Sequence, residues 1–257
     1  GADLEGLVYG VDFMKDANLG KPLSVGKDVV VIGGGYTAMD CSRTSLRHGA
    51  ERVTIAYRRT RSELVVDEEE LGETEREGVR MDFLVSPLEL VGENGHITGV
   101  RMIKNRLGEP DASGRRSPVP IEGSEFILPA DTVIPAVSQA AELGFLPVES
   151  TFEVARGRVK VDPATYATNI KGVWACGDFV TGPATMIEAA GHAKKCAYAI
   201  DRYLDGQAEI TVNANVKITS SWRHEMPEFY DRIPRQHIPV LPLAARLPSG
   251  DPVENFT

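Results

Sequence analysis

The sequence predicts an α/β fold: a Rossmann-like, doubly wound parallel sheet carrying an antiparallel β-meander insertion. Three observations predict it. A short β-branched run, Val29 to Ile32, leads straight into Gly33-Gly34-Gly35-Tyr36-Thr37-Ala38 and a helical pattern over 37–48. A second such run, Val53 to Tyr57, follows the helix stop at Gly49. The texture then changes to hairpins before another buried run, Asp131 to Val137, closes the domain.

Taken in order, residues 1–26 read as a connector. Leu7, Val11, Phe13 and Met14 have the spacing of a short helix, and Gly20-Lys21-Pro22 breaks it. Residues 27–59 form a β-α-β unit. Asp67 to Glu77 reads as an acidic helix whose charges form a solvated face, and Val79 to Val85 as a third parallel strand. Leu88–Val91 and Ile97–Asn105 make a hairpin with its turn at Asn94-Gly95. Gly108 to Gly114 reads as a polar loop, and Ile121 to Leu128 as a returning strand. Residues 27–137 are thus one nucleotide-binding domain. Residues 138–205 are a second piece, with a small exposed strand at 157–161, a buried strand at 172–178 and a long helix at 184–204. Beyond Gly206 the prolines (Pro227, Pro234, Pro239, Pro242, Pro248, Pro252) predict an extended tail, 206–257, that drapes over another surface.

The chemistry lies in the first turn. Gly33, Gly35 and Ala38 form G-x-G-x-x-A between strand and helix, the setting in which the motif binds a dinucleotide. Gly33 allows the sharp turn, Gly35 lets backbone approach a pyrophosphate, and Ala38 keeps the helix against the sheet. The free N–H groups of the helix start, from Gly34 through Tyr36 and Thr37, face the phosphates. An NAD site places a carboxylate at the end of the second strand to accept from the ribose 2′-OH. Here Arg58 and Arg59 stand there, with Arg61 just beyond. Guanidinium groups at that place attract a 2′-phosphate, so NADPH is the expected cofactor.

The bulk properties exclude other classes. A formal charge of -9 over 257 residues argues against a nucleic-acid partner. There is no apolar run long enough for a membrane span. Cys41, Cys176 and Cys196 are far apart in sequence, without C-x-x-C, which argues against a dithiol centre and suits a reducing, cytoplasmic setting. The five histidines show no pairing for acid–base work, and no catalytic or metal-ligating residue is assigned.

Gly172-Val173-Trp174-Ala175-Cys176-Gly177-Asp178, followed by a small-residue helix, resembles the second flavin motif of the two-dinucleotide-binding flavoproteins. Within that group, G-G-G-Y-T-A-M-D-C-S-R-T and G-A-E-R-V-T-I-A-Y-R-R are similar to the small (beta) subunit of NADPH-dependent glutamate synthase and its relatives. The resemblance covers most of residues 1–205. It implies that NADPH reduces FAD by hydride transfer, and that FAD passes electrons to iron–sulfur clusters in a partner domain or subunit. It also implies that Gly177 and Asp178 meet the FAD ribityl chain, and that the helix from Thr185 points its N-terminus, with Met186 and Ile187, at the flavin. The stretch from Gly1 to Gly6 resembles the place where the family's FAD domain hands over to its NADPH domain. The expectation is a fragment with the whole NADPH domain and the C-terminal part of an FAD domain. FAD belongs to the full-length protein, and the fragment is expected to hold it weakly. The alternative is a non-catalytic NADPH-binding docking module of a larger redox complex.

Overall fold

The computed structural model describes residues 3–110, 114–137, 142, 144, 152–205 and 239–247. It divides the chain into two units, Gly1–Val137 with Arg235–Thr257, and Ser138–Pro234. In the first unit, β1 (Asp28–Ile32) and β2 (Arg52–Tyr57) pair in parallel. With β3 (Arg80–Phe83) and β8 (Thr132–Pro135) they form a sheet ordered β3-β2-β1-β8. The unbroken apolar run of β1 reflects burial on both faces. Val29 and Val31 pack with Phe13, Met39, Cys41, Ile55 and Leu71 on the helical side. Val30 packs with Ala56, Val85, Val100, Met102 and Val133 on the other. Each of the larger of these side chains, the valines, leucine, isoleucine, methionines and phenylalanine, contributes roughly 1.5–3 kcal/mol on burial.

The helical face carries α1 (Gly10–Asn18), α2 (Tyr36–Arg47) and α3 (Glu68–Arg76). Two glycines at positive φ end α2 and α3. Gly49 has φ +101° and Gly78 has φ +100°. In each case the next residue donates back into the helix, Ala50 to Ser45 O at 3.0 Å and Val79 to Thr74 O at 3.3 Å. Residues at the start of the chain also join this unit: Val8 N–H donates to Val133 O at 3.1 Å, and Val133 N–H to Gly6 O at 2.8 Å.

The second face is covered by a meander of β4 (Val85–Glu93), β5 (His96–Pro110), β6 (Arg116–Pro120) and β7 (Phe126–Pro129). The Asn94-Gly95 turn forms as the sequence predicts, with φ +52° and +84°. Three boundaries differ. The third parallel strand stops at Phe83 because Leu84, at φ +57°, swings the chain into the meander. β5 continues to Pro110, through half of the stretch read as a polar loop, because it pairs with β6. The strand read over 121–128 is confined to 126–129. Ser124 turns the chain there, its Oγ donating to Ile121 O at 2.6 Å beside Gly123 at φ +75°.

The second unit contains a two-stranded hairpin, β9 (Val154–Ala155) and β10 (Arg158–Val159), then α4 (Asp178–Thr181) and α5 (Met186–Asp205). The buried strand expected at 172–178 is not formed. That stretch makes a single bridge, Trp174 to Ala167, and Val173 to Cys176 are half-buried. A strand needs ladder partners for its backbone groups, and no described strand of this unit runs beside it. In the tail, the described residues 239–247 include a helical turn, α6 (Leu243–Arg246), where extended chain was expected. Pro242 is its N-cap, at φ −56° and ψ 147°.

The acidic helix is the largest departure. Glu73 and Glu77 are buried, not solvated. Glu77 Oε1 accepts from Arg43 and from Arg47 at 2.8 Å, and its Oε2 accepts from Arg47 at 2.6 Å. Arg246 donates to Glu73 Oε2 at 2.7 Å and binds α6 to the same cluster. Burial alone would raise the Glu77 carboxyl. The hydrogen bonds from Arg43 and Arg47 overcome that and hold it below the usual carboxylate range.

Candidate dinucleotide-binding site

β1 delivers the chain to three consecutive glycines with three different reasons for being glycine. Gly33, at φ +154°, donates its N–H to Ala56 O at 3.1 Å, and a Cβ there would overlap the Ala136 carbonyl oxygen. Gly34 is buried, and the volume of its missing side chain is filled by the Tyr57 ring. Gly35 is the N-cap of α2, with extended backbone, and a Cβ there would meet nothing within 4 Å. The protein's own packing requires the first two. The third faces open space.

That space lies over a helix start that no side chain caps. Ala38 N–H turns back to Gly35 O at 2.9 Å. The N–H groups of Tyr36 and Thr37 belong to the set that a helix start leaves without an intrahelical acceptor. Such a start favours an anion through both its donors and its dipole. Ala38 is fully buried and holds α2 close to the sheet, and Thr37 is half-buried. Tyr36 is half-exposed, and its hydroxyl donates to Asp67 Oδ2 at 3.1 Å. Asp67 is the N-cap of α3, with Oδ1 accepting from Glu70 N–H at 2.9 Å. The Glu70 N–H and the Tyr36 hydroxyl hold the Asp67 carboxyl below its ordinary range. Tyr36 thus ties the first turn of α2 to the start of α3.

The arginine pair is split. Arg58 is exposed at the end of β2. Arg59 is only 3% exposed, and its Nε donates to Arg116 O on β6 at 2.7 Å. Arg61 is committed to Glu75 at 2.6 Å and Glu68 at 3.1 Å. Arg58 and Arg61 are both exposed, but Arg61 is held in ion pairs, which leaves Arg58 as the exposed guanidinium at the end of β2. Among the residues that sequence reasoning missed, Asn105 matters most. It is buried, and its Nδ2 donates to Arg58 O at 3.1 Å and Ser86 Oγ at 2.8 Å. Its own N–H donates to Leu84 O at 2.7 Å. The signal was an amide side chain at an inward register position of an alternating strand.

Gly177, Asp178, Thr185 and Met186 lie in the second unit. Gly177 has φ +67° and ψ −152°, a conformation open to glycine, and Asp178 is exposed in the first turn of α4. Thr185 caps α5 in a reciprocal box: Glu188 N–H donates to its Oγ1 at 3.3 Å, and Thr185 N–H donates to Glu188 Oε2 at 3.0 Å. The T-x-x-E spacing carried that signal. Met186 and Ile187, beside the cap, are 88% and 81% exposed. Two large apolar side chains so exposed mark a surface suited to an apolar ligand or partner. Among the described residues no group of three or more His, Cys, Asp or Glu is arranged to hold a metal ion, and no helix is long and apolar enough to cross a membrane.

Comparison with known proteins gives this geometry a context. The chain is 44% identical over 260 residues to the NADP(+)-dependent formate dehydrogenase subunit beta of Moorella thermoacetica, covering 97% of this chain and 36% of that protein. It is 37% identical over 232 residues to the glutamate synthase [NADPH] small chain of Azospirillum brasilense, covering 82% of this chain and 47% of that protein. The chain thus spans between a third and a half of the length of these relatives, one named for NADP(+) and the other for NADPH. Among solved structures, Mycobacterium tuberculosis FprA in complex with NADPH superposes with a TM-score of 0.60 at 21% identity, covering 80% of this chain and 60% of that one. That likeness shows the shared Rossmann-like fold. The family model for pyridine nucleotide-disulphide oxidoreductases matches residues 1–193, and the chain belongs to that family.

Proposed function

We propose that this chain binds NADPH in the first unit and forms part of a flavin oxidoreductase that passes electrons to an iron–sulfur domain or partner subunit. One observation carries the reading: an uncapped helix start under open space at Gly35, with an exposed arginine and no carboxylate at the end of β2. The N–H groups at the start of α2 would hold the pyrophosphate, and Arg58 the 2′-phosphate, with Asn105 fixing the Arg58 backbone from beneath. Arg59 supports that loop from the meander side without reaching solvent. When bound, NADPH supplies a hydride and FAD accepts it. No side chain of this chain is asked to exchange a proton. Gly177, Asp178 and the exposed Met186–Ile187 pair fit the ribityl and ring end of a flavin, one polar and one apolar. The β-subunit and small-chain names of the relatives support a partner that takes the electrons.

Titrating the chain with NADPH and NADH tests the reading. A charged contact to the 2′-phosphate is worth roughly 1.5–3 kcal/mol, about tenfold to a hundredfold in affinity. Arg58→Ala should remove that preference and leave NADH binding unchanged. Arg59→Ala should lower thermal stability instead. Equal affinities in the parent chain would overturn the assignment. FAD added to the purified chain should be lost on gel filtration. The one complete phosphate-binding turn, at Gly33 to Gly35, is assigned to NADPH, which leaves the adenosine half of FAD unserved. Stoichiometric retention would overturn that division.

A further inference from the structure

The three cysteines lie far apart in sequence, yet two of them meet. The segment from Trp174 to Gly177 runs antiparallel along one stripe of α5. The Trp174 ring packs edge-on against Tyr203, with centroids 4.9 Å apart. At the other end, Gly177 faces Ala189, whose Cβ lies 3.7 Å from where a Gly177 Cβ would stand. Ala189, Cys196 and Tyr203 are seven residues apart, two helical turns each, so they share one face. Between the two outer contacts, Cys196 lies on the stripe of α5 that faces the segment and neighbours Cys176. A neighbouring contact keeps the same register: the Tyr166 ring sits 5.6 Å from that of His192, one turn before Cys196. Ala175 N–H ties the segment to Tyr166 O at 3.1 Å. The sulfurs are therefore held together by packing on both sides of them.

We infer that Cys176 and Cys196 form a reversible dithiol–disulfide site, closed by thiol–disulfide exchange with a low-molecular-weight disulfide. Cys176 is half-exposed and Cys196 is buried, so Cys176 meets the oxidant first. Its thiolate attacks one sulfur of the small disulfide. A mixed disulfide forms, and one small thiol leaves with the proton. The Cys196 sulfur, on the stripe of α5 that faces the segment, then attacks the Cys176 sulfur of the mixed disulfide. The internal S–S bond forms, and the second small thiol leaves with the second proton. The protein loses two protons and two electrons, and the small disulfide is reduced to two thiols. Burial keeps Cys41 out of this exchange and pushes its thiol up to about 12. The closed bond would fasten the turn at Gly177-Asp178 to α5.

Oxidised glutathione is a suitable probe. The reduced, folded chain is incubated with it, alkylated, and mapped by mass spectrometry without reduction. Free thiols should fall from three to one, with a Cys176–Cys196 linked peptide and Cys41 alkylated only after unfolding. Cys196→Ser should stop at a stable glutathione adduct on Cys176. Cys176→Ser should leave Cys196 unmodified. A parent chain that stops at the adduct, fails to react at Cys176, or links through Cys41 overturns the inference.

Discussion

Glu77→Ala should destabilise the first unit by about 3–5 kcal/mol, the usual cost of removing one partner from a buried ion pair. Glu77 is the only acid of the described cluster that touches three guanidiniums, those of Arg43, Arg47 and Arg246. The side chains of Arg47 and Glu77 are both fully buried. Without the carboxylate, Arg47 keeps a bond to Arg43 O at 3.0 Å, a neutral acceptor for a desolvated charge. Against a typical total of about 5–15 kcal/mol, such a loss is a large fraction of stability. Arg246→Ala should cost less, because Glu77 retains Arg43 and Arg47, and Glu73 retains Arg76. Urea unfolding of the three proteins checks the order, and a Glu77→Ala midpoint equal to the parent's would refute it. The pH dependence has a definite sign. The folded-state carboxyl is held below its ordinary value, so its contribution is fully present above that value. It is lost as pH falls through the lower, folded-state value. The acid limb of the stability curve should therefore be shallower in Glu77→Ala.

Gly35→Val should abolish NADPH binding and leave the fold intact. Its backbone, at φ −106° and ψ 178°, is one that valine adopts readily, and the new side chain would project into open space. In the proposed complex that space belongs to the pyrophosphate. Displacing it from two charge-assisted N–H contacts costs roughly 3–6 kcal/mol, a loss of at least a hundredfold. Gly34→Ala supplies the contrast. Its methyl group would overlap the Tyr57 ring, so it should destabilise by about 1–3 kcal/mol, the range for overpacking. Circular dichroism and cofactor titration separate the two. A folded Gly35→Val protein that binds NADPH normally would show that the open space holds no phosphate.

The sheet and its insertion were legible because their signals are local. Three valines in a row, a glycine turn and Asn94-Gly95 each act within a few residues. What was not legible depends on partners distant in sequence. Arg58 and Arg59 are adjacent and chemically alike, and only the arrival of Arg116 beneath β2 decides which is buried. The acids of α3 look solvated until Arg43, Arg47 and Arg246 approach from elsewhere. Gly172 to Asp178 has the composition of a buried strand, but composition supplies no neighbour to complete a ladder. Asn105 was hidden by its surroundings, an ordinary amide in a strand whose register places it under the Arg58 carbonyl.

The Arg246 contact has a consequence for synthesis on the ribosome. Arg246 lies 169 residues after Glu77 in sequence. At translation rates of about 5–20 residues per second, roughly ten to thirty seconds separate the two. During that interval the parallel sheet, its helices and the Arg43–Glu77–Arg47 cluster are all available to fold, while the seat for Arg246 stands open. Among the described residues, Arg246 is thus a late-arriving contact of the first unit, supplied after the whole second unit has been made.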